Sequence, residues 1–129
     1  MSLADKLQVM VVDDTSVSRA LITDALDQMG VRHVTIAKDG AQALKALMAQ
    51  PVHLVISDMN MPGLDGLGLL KGLREFKATS AIGFILVTGS ADKTLIERGK
   101  QYRLNNFVTK PFNTASLKAA IERVVGRLS

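Results

Sequence analysis

Short apolar runs alternate with amphipathic stretches along this 129-residue chain, and this alternation limits the possible folds more than any other feature. Five runs are rich in β-branched residues, and several are continuous enough for strands buried on both faces. They lie at residues 7–12, 33–37, 52–57, 82–87 and 106–109. The pattern therefore predicts five strands, each followed by a helix.

The amphipathic stretches have the spacing of helices. The first places Val17, Leu21, Ala25 and Met29 four residues apart, and Gly30 follows where a helix would end. We expect this helix to bury its apolar face, including Val17 and Leu21, in the core. The other predicted helices lie at residues 41–49, around 67–73, at about 92–103, and from about 114 to 128.

Strands that alternate with helices predict a parallel sheet. Strand–helix–strand crossovers are almost always right-handed, which places helices on both faces of the sheet. We therefore predict an α/β fold, a doubly wound (βα)5 three-layer sandwich. The length suits one core and no Pro- or Ser-rich linker divides the chain, so we expect residues 1–129 to form a single domain with no output domain.

Composition excludes several classes of protein. The chain has no cysteine, so it has no disulfide framework, thiolate zinc site or cysteine nucleophile. The start of the chain does not resemble a signal peptide, and no apolar run approaches the ~20 residues that span a bilayer. We expect a cytoplasmic protein without membrane insertion. His33 and His53 stand alone beside apolar runs, and we interpret both as structural.

Polar residues follow four of the predicted strands. Asp13 and Asp14 follow the first, Asp58 the third, Thr88 the fourth and Lys110 the fifth. Ligands of open parallel sheets bind at the carboxyl ends of the strands. A single aspartate there is most often a turn or helix cap, but three carboxylates at one edge repel each other unless a cation lies among them. Because the ligands are all oxygens, this edge predicts a site for Mg²⁺.

The charges of this edge suggest phosphoryl transfer. Three carboxylates, Lys110 and Mg²⁺ together carry no net charge, and such a site can stabilise the oxygens of a phosphoryl group in transit. An aspartate would be the nucleophile. Phosphorylation of Asp58 would replace one negative charge by about two, and the Thr88 hydroxyl and the Lys110 ammonium would then pair with the phosphoryl oxygens.

Four segments of the sequence resemble the signature of response-regulator receiver domains. They are VVDD at 11–14, DMNMPGLDG at 58–66, VTG at 87–89 and TKPF at 109–112, in the order and spacing of the single-domain chemotaxis regulators of the CheY type. The similarity covers the whole chain. It implies a flavodoxin-like fold with a five-stranded parallel sheet in the order 2-1-3-4-5, which is the order known for CheY-type folds.

The resemblance implies roles for individual residues. Asp58 would be the phosphoacceptor, and Lys110 would pair with the phosphoryl group. Asp14 and Asp58 would supply carboxylate ligands to Mg²⁺. Asp13 would hold ordered water on the metal, and Asn60 would contribute its backbone carbonyl.

The resemblance also implies a conformational switch. Thr88 and Phe107 match the family's switch pair, and the bond from Lys110 to Pro111 is expected to be cis. When the Thr88 hydroxyl moves towards the phosphoryl group, an aromatic side chain at position 107 can rotate inward and change the surface of the fourth helix, fifth strand and fifth helix. Motor-binding regulators carry Tyr here. Phe107 has no hydroxyl to bury, so we expect an easier inward rotamer.

The implied function is that of a two-component response regulator, not a turnover enzyme, although it would catalyse its own phosphorylation and dephosphorylation. Asp58 would receive the phosphoryl group from a phosphohistidine on a sensor histidine kinase or its phosphotransfer domain. The expected setting is bacterial chemotaxis, with a flagellar motor switch protein or a phosphatase as further partners and a monomeric state. The alternative is a phosphorelay intermediate or phosphate sink, which would use the same residues.

Two other classes of function are disfavoured. Aspartate-dependent phosphatases need a carboxylate two residues after the nucleophile, and position 60 is Asn. The net charge of +4 invites a nucleic-acid partner, but the chain lacks an aromatic stacking set and its basic residues are dispersed, so we expect no DNA binding. The basic residues of the fourth predicted helix fit a solvated face better than a docking surface for an acidic partner; they are Lys93, Arg98, Lys100 and Arg103.

Overall fold

The computed structural model describes residues 2–129 and contains one five-stranded parallel sheet in the order β2-β1-β3-β4-β5. The strands are β1 (Gln8–Val12), β2 (His33–Ala37), β3 (Leu54–Asp58), β4 (Gly83–Thr88) and β5 (Asn106–Thr109). The helices are α1 (Leu3–Lys6), α2 (Ser16–Gln28), α3 (Gly40–Ala49), α4 (Gly66–Arg74), α5 (Lys93–Gln101) and α6 (Thr114–Val125). The predicted doubly wound α/β fold and its strand order are confirmed.

The helix α1 was not predicted. A four-residue helix is too short to show a periodic pattern, and it owes its stability to tertiary contacts. The backbone N–H of Ala4 donates to the carbonyl of Leu128 at 3.1 Å, and Ala4 is buried. Because α1 comes first, the predicted fourth and fifth helices are α5 and α6 of the structure.

Each face of the sheet has its own apolar core, because successive residues of a strand point to opposite faces. On β1, Val9 and Val11 face α2 and α6, whereas Met10 and Val12 face the layer of α3 and α4. Residues of α5 and the loop after it pack on the second core. All residues of β3 and β4 are buried, which agrees with central strands covered on both sides.

The expected burial of Val17 and Leu21 is wrong. Val17 is 74% exposed and Leu21 is 58% exposed, whereas Ile22, Ala25 and Leu26 form the buried stripe of α2. A helix has 3.6 residues per turn, so each step of four residues shifts the side chain by about 40° around the helix axis. The stripe that contains Val17 and Leu21 therefore leaves the core-facing side of the helix.

The last helix is shorter than the apolar spacing suggested. It ends at Val125 because Gly126 has a φ of 95°, a left-handed conformation that suits glycine. Leu128 lies beyond the helix but is buried, and its backbone N–H donates to the Glu122 carboxylate at 2.9 Å.

The sheet register aligns the carboxyl ends of the central strands. Val12 pairs with Ser57, Asp58 with Val87, and Thr88 with Thr109. The residues that follow these pairs therefore meet at one edge of the sheet. Among residues 2–129, no helix combines the length and the apolar character needed to cross a bilayer.

Candidate functional site at the carboxyl edge of the sheet

Three carboxylates meet at this edge. Asp13, Asp14 and Asp58 each offer an oxygen, and these oxygens lie within 4.8 Å of one another. Asp13 and Asp58 are buried and Asp14 is exposed, so the cluster opens to solvent on one side. The structure brings together the three aspartates that the sequence predicted.

Backbone hydrogen bonds hold the two buried aspartates in place. The N–H of Asp13 donates to the carbonyl of Ala37 at 3.1 Å, which extends the β1–β2 ladder past the end of β1. Asp58 is the last residue of β3, and the N–H of Met59 donates to the carbonyl of Val87 at 2.9 Å. Both carboxylates are therefore fixed to the rigid end of the sheet.

Lys110, which follows the edge strand β5, reaches the cluster with its side chain. The Lys110 ammonium donates to Oδ1 of Asp58 at 3.0 Å, and the Asp58 side chain is only 7% exposed. The Lys110 backbone N–H donates to the carbonyl of Thr88 at 2.8 Å. The Lys110–Pro111 peptide bond is cis.

Asp13 has one satisfied oxygen and one free oxygen. Its Oδ1 accepts hydrogen bonds from the Thr15 backbone N–H at 2.9 Å and from the Thr15 hydroxyl at 3.1 Å. Its Oδ2 is buried and has no hydrogen-bond partner in the part of the chain that the structure describes. A buried carboxylate oxygen without a partner is costly, and a cation removes that cost.

The donor set suits a hard divalent cation. Three carboxylates face one ammonium, so the cluster has an excess of negative charge. In phosphoryl-transfer sites Mg²⁺ is bound by a few protein oxygens and keeps other coordination positions for water and phosphate. The free Oδ2 of Asp13 is the observation in this structure that fits such an ion.

Thr88 lies beside the cluster with its hydroxyl engaged elsewhere. The Thr88 side chain is buried, its hydroxyl donates to the carbonyl of Ser90 at 3.1 Å, and it accepts from the N–H of Ser90 at 3.2 Å. Thr88 also lines a cavity of about 380 Å³ together with Met59 and Asn60. A phosphoryl group on the neighbouring strand would have to compete with Ser90 for this hydroxyl.

Phe107 lies on the same face of the sheet as Thr88. Phe107 pairs with Leu86 in the register, and Leu86 and Thr88 point to the same side of β4. This is the side that α5 covers, and the Phe107 ring is 36% exposed. The predicted switch pair therefore shares one layer of the fold.

Some residues that position the site were not singled out from the sequence. Thr15 holds Asp13, and the Arg19 guanidinium donates to the carbonyl of Asp13 at 2.9 Å. Gly66 begins α4 directly against β3, where an added Cβ would lie 2.6 Å from the carbonyl oxygen of Asp58. Polar residues just after the paired aspartates could have pointed to Thr15, but nothing in the sequence shows which atoms Arg19 or Gly66 approach.

The histidines lie away from the cluster. Nδ1 of His53 accepts a hydrogen bond from the N–H of Gln8 at 3.0 Å at the opposite end of β1, a structural role. His33 begins the edge strand β2 and is exposed.

Comparisons with known proteins agree with this geometry. A family model described as the response regulator receiver domain matches residues 9–122. A Rhizobium etli protein called "Probable chemotaxis protein CheY" is 46% identical over 128 residues, which cover 99% of each chain. The structure of Vibrio cholerae chemotaxis protein CheY4 superposes with a TM-score of 0.85 at 27% identity, covering 92% of this chain and 98% of that one.

A further structural neighbour bears on the metal. The receiver domain of a Pseudomonas aeruginosa sensor histidine kinase has a TM-score of 0.83 and 27% identity, covering 94% of this chain and 98% of that chain. That structure has a magnesium ion coordinated in its active-site cleft.

Proposed function

Because the chain belongs to the response regulator receiver domain family, we propose that it is a two-component response regulator phosphorylated on Asp58. The observation that carries this proposal is the contact of 3.0 Å between the Lys110 ammonium and the Asp58 carboxylate, inside a cluster of three carboxylates. The family is one of signalling proteins. A protein that accepts and loses a phosphoryl group on one of its own residues fits a signalling role better than that of a turnover enzyme.

The reaction we propose is a direct displacement. An oxygen of Asp58 forms a bond to phosphorus while the bond from phosphorus to the donor histidine nitrogen breaks, and the electron pair of that bond stays on the imidazole. Lys110 neutralises charge on the acceptor carboxylate and on the phosphoryl oxygens throughout. The burial of Asp58 keeps most solvent from the acceptor oxygen.

Three aspartates and one backbone carbonyl would hold Mg²⁺. The carboxylates of Asp14 and Asp58 and the carbonyl of Asn60, on the exposed loop after β3, would bind the ion, and Asp13 would hold ordered water on it. When bound, the ion supplies positive charge to the transferring phosphoryl oxygens. Asp13 would hold that water with its free oxygen, and Thr15 and Arg19 keep that residue in place.

The output would pass through Thr88 and Phe107. The Thr88 hydroxyl exchanges its Ser90 contacts for a phosphoryl oxygen, which moves the start of the β4–α5 loop towards the site. The space released on the α5 side favours the inward rotamer of Phe107, and the surface of α5, β5 and α6 changes as a result. That surface is where a partner would read the phosphorylated state.

The relatives support a role in chemotaxis. A protein that shares 46% of its residues with this chain is called a chemotaxis protein, as is the close structural neighbour from V. cholerae. The proposed partners are a sensor histidine kinase or its phosphotransfer domain as donor and a flagellar motor switch protein or a phosphatase as receiver of the signal. That the protein acts as a monomeric receiver domain in the cytoplasm stays a prediction.

Phosphorelay or phosphate-sink activity is the alternative, and it uses the same residues. The two roles differ in their output, because a sink needs no change at the α5–β5–α6 surface. Amide resonances of that surface, recorded with and without a phosphoryl mimic such as beryllofluoride, distinguish them. A large change in α5 and β5 supports signalling, and changes confined to the acidic cluster support a sink.

The central test is phosphorylation by a small donor. Incubation with acetyl phosphate and Mg²⁺, followed by intact mass measurement, is expected to show one labile phosphoryl group per chain. Asp58→Asn should take up none, because the amide oxygen is a poor nucleophile. Asp24→Asn, which changes an exposed aspartate of α2, is the matched control and should be phosphorylated like the wild type.

Two outcomes would overturn the proposal. One is that the wild-type protein takes up no phosphoryl group although it and both variants are folded. The other is a label that persists in Asp58→Asn, which would place the acceptor on another residue.

A further inference from the structure

Thr15 begins α2 but does not cap it. A threonine at the N-cap of a helix ordinarily accepts a hydrogen bond from a backbone N–H in the first turn. Thr15 is the N-cap residue of α2, its backbone is extended, and its side chain makes no such capping bond. The usual structural reason for a threonine at this position therefore does not account for its hydroxyl.

The Thr15 hydroxyl is directed at the acidic cluster instead. It donates to Oδ1 of Asp13 at 3.1 Å, and the Thr15 N–H donates to the same oxygen at 2.9 Å. Two donors from one residue hold this carboxylate oxygen and fix the plane of the carboxylate. The other oxygen, Oδ2, is left buried and without a partner in the described residues.

We infer that Thr15 is a positioning residue for divalent-cation binding, because its hydroxyl orients Asp13 so that Oδ2 is the oxygen that holds ordered water on the ion. This inference rests on the proposed metal site and adds to it a residue outside the set of ligands. Partners that hydrogen-bond to a metal ligand set its orientation, and their loss ordinarily lowers metal affinity by roughly 10- to 100-fold.

Arg19 supports the same residue through its main chain. Its guanidinium donates to the backbone carbonyl of Asp13 at 2.9 Å, so the main chain of Asp13 is held while Thr15 holds the side chain. The two contacts are separate, and removal of the Thr15 hydroxyl leaves the main-chain position intact. A change in affinity after that removal therefore reports the orientation of the carboxylate.

The test compares Thr15→Val, which removes the hydroxyl at nearly constant shape, with Thr15→Ser, which keeps it. The chain has no tryptophan, so Mg²⁺ alone is titrated into ¹⁵N-labelled protein and amide shifts give the dissociation constant. We expect Thr15→Val to weaken binding about tenfold, because the N–H bond to Oδ1 persists, and Thr15→Ser to restore it to within about threefold of wild type. Thr23→Val is the matched control, since the Thr23 hydroxyl bonds to Ala20 on the same helix.

The inference is overturned if Thr15→Val binds Mg²⁺ as tightly as wild type. It is overturned as well if Thr15→Ser binds Mg²⁺ as weakly as Thr15→Val while both variants keep the wild-type amide spectrum in the absence of metal. It is also overturned if Thr23→Val loses as much affinity as Thr15→Val. Failure of the phosphorylation proposal is a separate result, seen as absence of mass increase in wild-type protein that still binds Mg²⁺.

Discussion

Asp13 is the residue at which folding and binding conflict most directly. Its carboxylate is buried beside two others, and one of its oxygens has no protein partner in residues 2–129. Charge repulsion and an unsatisfied oxygen both destabilise the metal-free fold. A bound cation would reverse both effects, so the residue that destabilises the metal-free protein would stabilise the metal-bound one.

Asp13→Asn should therefore stabilise the metal-free protein by about 1–2 kcal/mol, because it removes a buried charge and keeps the oxygen that Thr15 contacts. Urea unfolding without metal measures this gain. The variant should also lose the added stability that Mg²⁺ gives to wild type, which is about 2.7 kcal/mol at 100 times the dissociation constant. A metal-free Asp13→Asn protein that is less stable than wild type would contradict the assigned repulsion.

Phe107 carries the second prediction at this scale. Its ring is 36% exposed and has no hydroxyl, so an inward rotamer leaves no polar atom unpaired. Phe107→Tyr should disfavour that rotamer, because burial of an unpaired hydroxyl costs about 1–3 kcal/mol. Beryllofluoride-linked shifts of α5 amide resonances measure the switch, and we expect smaller shifts in the variant. Equal shifts in both proteins would contradict the role of the missing hydroxyl.

At the scale of elements, the start of α4 lies directly against β3, the strand that ends in Asp58. An added Cβ on Gly66 would lie 2.6 Å from the carbonyl oxygen of Asp58 and 2.6 Å from a methyl group of Leu86. The absence of a side chain lets the helix begin directly beneath Asp58. The close spacing between β3 and α4 therefore depends on a glycine at position 66.

Gly66→Ala should push α4 away from β3, lower stability by about 1–3 kcal/mol and slow phosphoryl uptake from acetyl phosphate. Chemical unfolding and intact mass over time measure the two effects. Gly89→Ala is the matched control, since nothing lies within 4 Å of an added Cβ there although the residue follows Thr88. If the two alanine variants behave alike, close packing at Gly66 is not what positions Asp58.

Arg74 joins the end of α4 to the loop between α5 and β5. Its guanidinium donates to the carbonyls of Tyr102, Ser80, Ile82 and Arg103 and to the Asn105 side chain, at 2.7–3.1 Å. Burial lowers the pKa of Arg74, and the nearby Arg103 lowers it further. These bonds fix the C-terminal end of α5, so a change transmitted from Thr88 would move the other end of this helix.

Arg74→Lys keeps a charge but has too few donors for these acceptors. We expect a loss of about 2–4 kcal/mol in the free energy of unfolding, together with faster hydrogen exchange in the loop after α5. Arg127→Lys, at an exposed position, should change neither quantity. Unchanged exchange in the loop of Arg74→Lys would show that other contacts hold this end of α5.

For the whole molecule, the placement of charge matters more than its sum. The chain carries a net charge of +4, yet three of its carboxylates meet at one edge of the sheet. The parallel sheet causes this concentration, because it brings the carboxyl ends of strands together. A basic protein therefore has an acidic site that favours a metal ion, and its positive charge alone gives a poor indication of its function.

The strands, their alternation with helices and the residues at the strand ends were predictable from the amino-acid pattern alone. Periodic burial is local, so it can be recognised without knowledge of partners, and the parallel direction of the strands then brings Asp13, Asp14, Asp58, Thr88 and Lys110 to one edge. The contact between Lys110 and Asp58, 52 residues apart, follows from this placement. Fold class and candidate site were accessible for that reason.

The contacts of individual atoms, in contrast, depend on how the elements pack in three dimensions. Periodicity does not show which groups pack against a given residue. Three findings depend on such packing: the exposure of Val17 and Leu21 on α2, the short helix α1, and the contacts of Thr15, Gly66 and Arg74. The orientation of Asp13, with one oxygen held by Thr15 and the other free, depends on hydrogen bonds of about 3 Å. Packing and hydrogen bonding in the folded chain set the orientation of each side chain. The sequence pattern specifies only which face of a helix or strand a residue occupies and at which edge of the sheet it lies.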